Sequence, residues 1–69
     1  MKFNEFKHKL ESKINPYRYL YEHDTKSRLY YFTLYRPNLT HIFFSISEST
    51  IKNNEKLATQ ILLKVKERY

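Results

Sequence analysis

The side chains able to do acid–base or metal chemistry are few and scattered. Histidines stand at positions 8, 23 and 41, a spacing that sets no two of them together as metal ligands. His23 is followed by Asp24, and neighbouring side chains on a strand point to opposite faces. Glu22 with His23 or His41 is an acid–base combination without a second carboxylate. There is no Cys, and Ser45 near His41 is a same-face strand pair rather than a nucleophile held by its base. Gly is absent too, where average usage of about 7 % predicts roughly five. Phosphate-cradling loops, dinucleotide fingerprints and strained nucleophile turns need Gly for positive φ or close backbone approach. The sequence therefore predicts no catalytic residue, no metal and no cofactor, in a protein that is not an enzyme.

Two other groups of residues point to binding. Lys and Arg number 13 against 7 Asp and Glu, a formal net charge of +6. Lys52, Lys56 and Lys66 are predicted to form a stripe on a C-terminal helix, joined in space by Lys7, Lys9 and Lys13 of an N-terminal one. Such a surface neutralises phosphates and releases counterions, giving salt-dependent and mostly sequence-independent affinity for nucleic acid. The competing interpretation is a solvated face that keeps a small protein in solution, since Glu5, Glu11, Glu55 and Glu67 interrupt the stripe. The second group is aromatic. Tyr31, Tyr35, His41 and Phe43, with Leu20 or some of Tyr17, Tyr19 and Tyr21, are placed to line an uncovered sheet face. Rings there stack bases or bury area against a protein, a second copy of the chain included. They are equally ordinary strand residues with their edges in water.

The elements that must position these residues follow from periodicity. Phe3, Phe6, Leu10 and Ile14 recur at helical spacing, and Asn15-Pro16 stops that helix. Tyr17 to His23 alternates as a strand, followed by the polar turn Asp24-Thr25-Lys26-Ser27. Arg28 to Arg36 is a second strand and Leu39 to Ser47 a third, with Pro37-Asn38 turning between them. An odd loop there sets Phe32 beside Phe44, Leu34 beside Ile42 and Tyr30 beside Ile46. This register is preferred, because a one-residue slip exchanges the faces. The first loop leaves two alternatives: four residues put the tyrosines of the first strand on the face of Phe32, an odd number puts them on the other. From Thr50 to Arg68 a second helix shares Ile51, Ala58, Ile61, Leu62 and Val65 on one flank, with Ser49 or Thr50 as its cap. The predicted fold class is α+β: an α-β-β-β-α order with a three-stranded antiparallel sheet and two helices packed on one face.

The residues Phe3-Asn4-Glu5-Phe6, Pro16 with Tyr17 and Glu22, Phe32, Ser49, Leu57-Ala58 and Ile61-Leu62 fall where a double-stranded-RNA-binding domain carries its own pattern. Over almost its whole length the chain resembles that family. The resemblance implies the same αβββα shape and, as its activity, RNA binding. The family's minor-groove element Gly-Pro-x-His is replaced here by Asp24-Thr25-Lys26-Ser27. Its phosphate-gripping Lys cluster corresponds to Thr50-Ile51-Lys52-Asn53-Asn54, with Lys52 and Lys56 the nearest equivalents.

Sixty-nine residues make one domain, 1–69. No apolar run approaches the ~18 residues of a membrane span, and Met1 opens a polar segment rather than a signal peptide, so the expectation is a cytoplasmic protein without membrane contact. The expected function is a small basic module that binds DNA or RNA. The alternative is a protein-interaction module, such as a phage or mobile-element inhibitor or adaptor of a host nucleic-acid enzyme, acting through its aromatic sheet face or edge. A composition rich in Lys, Asn, Ile and Tyr fits an AT-rich source of that kind.

Overall fold

The computed structural model describes residues 1–14 and 18–69. Its elements are α1 (Phe3–Ile14), β1 (Tyr19–Asp24), β2 (Leu29–Leu34), β3 (Ile42–Ser47), α2 (Glu48–Asn53) and α3 (Glu55–Arg68). The strands form one antiparallel sheet in the order β1–β2–β3. Asn15, Pro16 and Tyr17, expected to stop the first helix and open the first strand, lie outside the described residues.

In α1, Phe6, Leu10 and Ile14 recur every fourth residue and are all buried. They meet Phe32 and Leu34 of β2, Ile42 and Ile46 of β3, Ile51 of α2, and Ala58, Leu62 and Val65 of α3 in a single apolar cluster. The sheet contributes to this cluster from one face only, so the helices roof that face and leave the other uncovered. Each large apolar side chain enclosed in this way stabilises the fold by about 1.5–3 kcal/mol.

The turns set the registers. Between β2 and β3 the backbone NH of Leu39 donates to the Arg36 carbonyl around Pro37 and Asn38, and Asn38 takes a φ of 58°. Pro presets the first central position of such a turn, and Asn accepts the left-handed second one. Residues 35–41 are an odd number, and Phe32 pairs with Phe44, Leu34 with Ile42 and Tyr30 with Ile46. Between β1 and β2 the loop is residues 25–28, the four-residue alternative, which pairs Tyr21 with Phe32 and Tyr19 with Leu34. Asp24 Oδ1 accepts from the backbone NH groups of Lys26 (3.0 Å) and Ser27 (3.4 Å). Arg28 then takes a φ of 58°, a conformation that favours Gly, and is held there by strand pairing and by the Glu48 NH donating to its carbonyl.

The C-terminal helix departs from expectation. It is not continuous from Thr50 to Arg68 but broken at Asn54, whose φ of −134° and ψ of 70° lie outside the helical region. Asn54 ends α2 by donating its NH to the Thr50 carbonyl, and caps α3 by accepting the Leu57 NH on Oδ1 at 3.1 Å. Asn competes well for backbone groups at such positions, which is why it sits at helix ends. The cap of α2 is Ser47, not Ser49 or Thr50; its Oγ accepts the Thr50 NH. Ile51 and Ala58 stay buried across the break, so the apolar flank is kept while the helix is not.

Two predictions test these caps. Asn54→Ala lowers the unfolding free energy by about 1 kcal/mol in urea titrations; an unchanged midpoint would show that the break needs no cap. Asp24 is held below the usual carboxylate range by the Ser27 hydroxyl and by the Lys26 and Ser27 backbone NH groups. Its stabilisation is therefore present above the unfolded pKa of about 4 and is lost as pH falls through the lower folded value. Thermal melts should show Asp24→Ala less stable than the parent at neutral pH, with the gap closing below about pH 4.

Candidate functional site

On the helical side, the lysines singled out from the sequence occupy three separate settings. Lys7 lies over the rings of Phe3 and Tyr21, 5.2 Å from each centroid, on the flank of α1 nearest β1. Its ammonium is engaged by ring quadrupoles. Lys9 sits between Glu5 (3.7 Å) and Glu55 (3.9 Å), linking α1 to the start of α3. Lys52 borders an open groove of about 300 Å³ with Lys2, floored by the stacked rings of Phe3 and Tyr30 and closed by Glu48. The break at Asn54 puts Lys52 on α2 and Lys56 with Lys66 on α3, so the predicted stripe is not one line. Lys52, Lys56 and Lys66 are exposed and Lys13 is half-buried; none of the four makes an ion pair among the described residues. Lys2, beside Lys52, was not picked out from the sequence, because only the packing of the α1 start against α2 brings the two together.

Five of the seven side-chain carboxylates are engaged within the fold, all but two of them by groups other than lysine. Glu11 accepts the Tyr19 hydroxyl at 2.7 Å and touches His8. Glu48 meets Nε2 of His23, whose ring stacks on Tyr30 with centroids 4.3 Å apart. Asp24 is turned onto its own hairpin backbone, and Glu5 with Glu55 share Lys9. Among the described residues Lys9 is the one lysine or arginine in salt-bridge contact with an Asp or Glu. Burial, then the bond to Glu11, pushes the Tyr19 hydroxyl well above its ordinary pKa, and burial with the Glu48 charge raises Tyr30. Both stay protonated phenols near neutral pH. Glu22, considered as an acid–base partner for His23, points to the opposite face of β1; His41 packs edge-on against Tyr35 at 4.6 Å. Among the described residues no three His, Asp or Glu side chains gather as metal ligands.

The uncovered sheet face carries the second group. Strand registers define its rows: Glu22, Tyr31 and Ser45 in one, Leu20, Thr33 and Phe43 in the next. One step further, the Tyr35 NH bonds to the Arg18 carbonyl, placing Arg18 beside Tyr35 and His41. Phe43 is 66 % exposed, Leu20 62 % and Tyr31 44 %. Four predicted contact residues, Tyr31, Tyr35, His41 and Phe43, therefore do share this face. Arg18 was missed there, although its two-residue offset from Leu20 is a legible signal. Tyr19 and Tyr21 belong to the covered face. No helix among the described residues is long and apolar enough to cross a membrane.

If the open face bears no load in folding, substitutions there leave stability alone. Tyr31→Thr and Phe43→Thr should each shift the unfolding free energy by less than about 1 kcal/mol. Phe32→Ala, on the covered face, should cost about 3–5 kcal/mol. Denaturant titration of the three variants measures both; a large loss at Phe43 would make its exposure structural. Comparison of the chain with family models, with curated proteins and with solved structures returned no match.

Proposed function

We propose that this protein is a small, basic, non-enzymatic module that binds nucleic acid. The observation that carries the proposal is the distribution of charge. The chain has a net +6, and five of its seven side-chain carboxylates are turned to histidines, a tyrosine hydroxyl, a hairpin backbone and Lys9, Glu22 and Glu67 being the other two. The remaining lysines and arginines have no acidic partner among the described residues. A surface of unpaired cations is stabilised by a polyanion, and counterion release from phosphates supplies the driving force. Lys2 with Lys52, Lys56, Lys66 and Lys13 are the proposed phosphate contacts.

The αβββα order supports a likeness to the double-stranded-RNA-binding domain in shape. At the two places where that family grips a duplex, this chain has a short Asp24-anchored turn and a helix interrupted at Asn54. A second reading, a protein-interaction module such as an inhibitor or adaptor of a host nucleic-acid enzyme, is favoured by one observation, the exposed apolar pair Leu20 and Phe43.

Oligonucleotide titrations at graded salt test the proposal. Each single-strand phosphate contact contributes a slope of about −0.7 in log affinity against log salt. Five contacts predict a loss of roughly 130-fold between about 50 and 200 mM salt. Lys52→Glu with Lys56→Glu should flatten the slope and weaken binding at least about tenfold. Absence of binding to DNA and RNA, single- or double-stranded, at low salt refutes the proposal.

A further inference from the structure

We infer that the uncovered face of the sheet is a stacking platform for the bases of single-stranded nucleic acid, with Tyr31 and Phe43 as its rings. The inference rests on the nucleic-acid proposal and adds the surface that touches the bases.

Ring partnerships single out these two residues. Phe3, Tyr21, Tyr30, Phe32 and Tyr19 form one connected set of ring contacts on the covered face, and Phe6 and Phe44 pack on Phe32. Tyr35 meets His41, and Tyr69 donates its hydroxyl to the Tyr35 carbonyl. Among the described Phe and Tyr residues, only Tyr31 and Phe43 have neither a ring, a cation nor a hydrogen-bond partner. Both stand on the uncovered face with much of their surface in water.

The register then gives them room. Tyr31 lies opposite Ser45, and Phe43 opposite Thr33, so each ring faces a small hydroxyl residue and the two rings are diagonal neighbours. Diagonal positions are roughly 7–8 Å apart, about twice the ~3.4 Å rise per nucleotide of a stacked strand. A base fits between the rings, or one on each, with the Thr33 and Ser45 hydroxyls at its edges. Arg18, beside Tyr35 and His41, supplies positive charge at one end of the face; Glu22, opposite Tyr31, makes the other end the less favourable path for phosphates.

Area argues against a protein in this place. Three strands of six residues, ~4.8 Å apart and ~3.4 Å per residue, make a face of roughly 14 by 20 Å, about 300 Å² in projection, with side-chain relief adding to its accessible area. A stable protein interface needs about 800 Å² per partner. A short flexible strand needs far less area, because each ring stacks one base locally and Arg18 is the cation on this face placed to meet a phosphate.

The test compares short oligo(dT), oligo(U) and a hairpin duplex against the full chain, with Tyr31→Leu and Phe43→Leu as variants. Leu keeps the apolar area and removes the π-face, and thermal melts confirm that each variant is folded. Each substitution should weaken single-strand binding roughly five- to 150-fold, while duplex binding changes little. A Phe43→Trp reporter should be quenched by the single strands; the dT and U arms show whether the sugar matters. If the parent binds nucleic acid with the expected salt dependence but the Leu variants bind as well as the parent, the platform is refuted and the basic-surface proposal stands. If the duplex competes equally and is equally weakened by the Leu variants, the platform is also refuted. If light scattering shows a dimer that the Leu variants dissociate, with oligonucleotide affinity unchanged, the occupant is a protein and the inference falls. If the parent binds no nucleic acid, both proposals fall together.

Discussion

Phe32 is the ring on which the two layers of this small protein meet. It stacks on Phe44 of β3 with centroids 4.9 Å apart and touches Tyr19 and Tyr21 of β1, so it joins all three strands. From the roof, Phe3 and Phe6 of α1 reach the same ring. A chain of 69 residues buries only about 60 % of the surface its unfolded form exposes, and it has no disulfide to add constraint. Its stability must therefore come from concentrating large rings on one face of one sheet. That concentration fixes the rest: both hairpin registers must deliver rings to the same side, and all three helices must lie above it. The face that carries Tyr31 and Phe43 is uncovered for the same reason, because the apolar flanks of α1, α2 and α3 all pack on the other side.

The ends of the chain are tied to this layer by polar contacts rather than by more burial. Arg36 donates from Nε to the Thr40 carbonyl and from a terminal guanidinium nitrogen to the Arg68 carbonyl, closing the β2–β3 loop onto the last turn of α3. A guanidinium at a helix C-terminus satisfies an orphan carbonyl and opposes the dipole. At the other end, His23 and Glu48 join the start of α2 to the β1 edge, while the Met1 nitrogen donates to the Ile51 carbonyl. Of these bonds one uses a carboxylate, Glu48; the others accept on backbone carbonyls, so the periphery is fastened with little use of the acidic side chains.

Much of this arrangement can be read from the sequence because it depends on period and turn chemistry. The strand faces follow from alternation, and the β2–β3 register follows from the segregation of Phe32, Leu34, Ile42 and Phe44. The first register could not be chosen in the same way, since Tyr and Leu alternate in β1 and either face is acceptable to both. The length of the loop, set by Asp24 accepting two backbone NH groups, decides it. The break at Asn54 was hidden because Ile51, Ala58, Leu62 and Val65 continue a helical stripe straight across it. The legible signal was local: an Asn followed directly by Glu55, the pattern of a cap with an acid in the first turn. For the lysines, spacing on an assumed continuous helix predicted one stripe, whereas their final positions depend on where α1 crosses α2 and α3, which no pattern in a single sequence encodes.

Exposed apolar side chains are common on small proteins and carry no meaning singly. What distinguishes Tyr31 and Phe43 is that neither serves the fold. The apolar cluster is complete without them, drawing its sheet residues from alternate positions on the other face. β-Branched polar residues hold a strand as well, and Thr33 occupies the position two residues after Tyr31 on the same face of β2, opposite Phe43. Keeping two bare rings there raises the hazard of association through an open face flanked by two sheet edges. The net charge of +6 opposes that association by repulsion between copies. For a second copy of this chain the two act in opposite directions, ring exposure promoting association and like charge opposing it; for the phosphate-bearing strand proposed above they act in the same one.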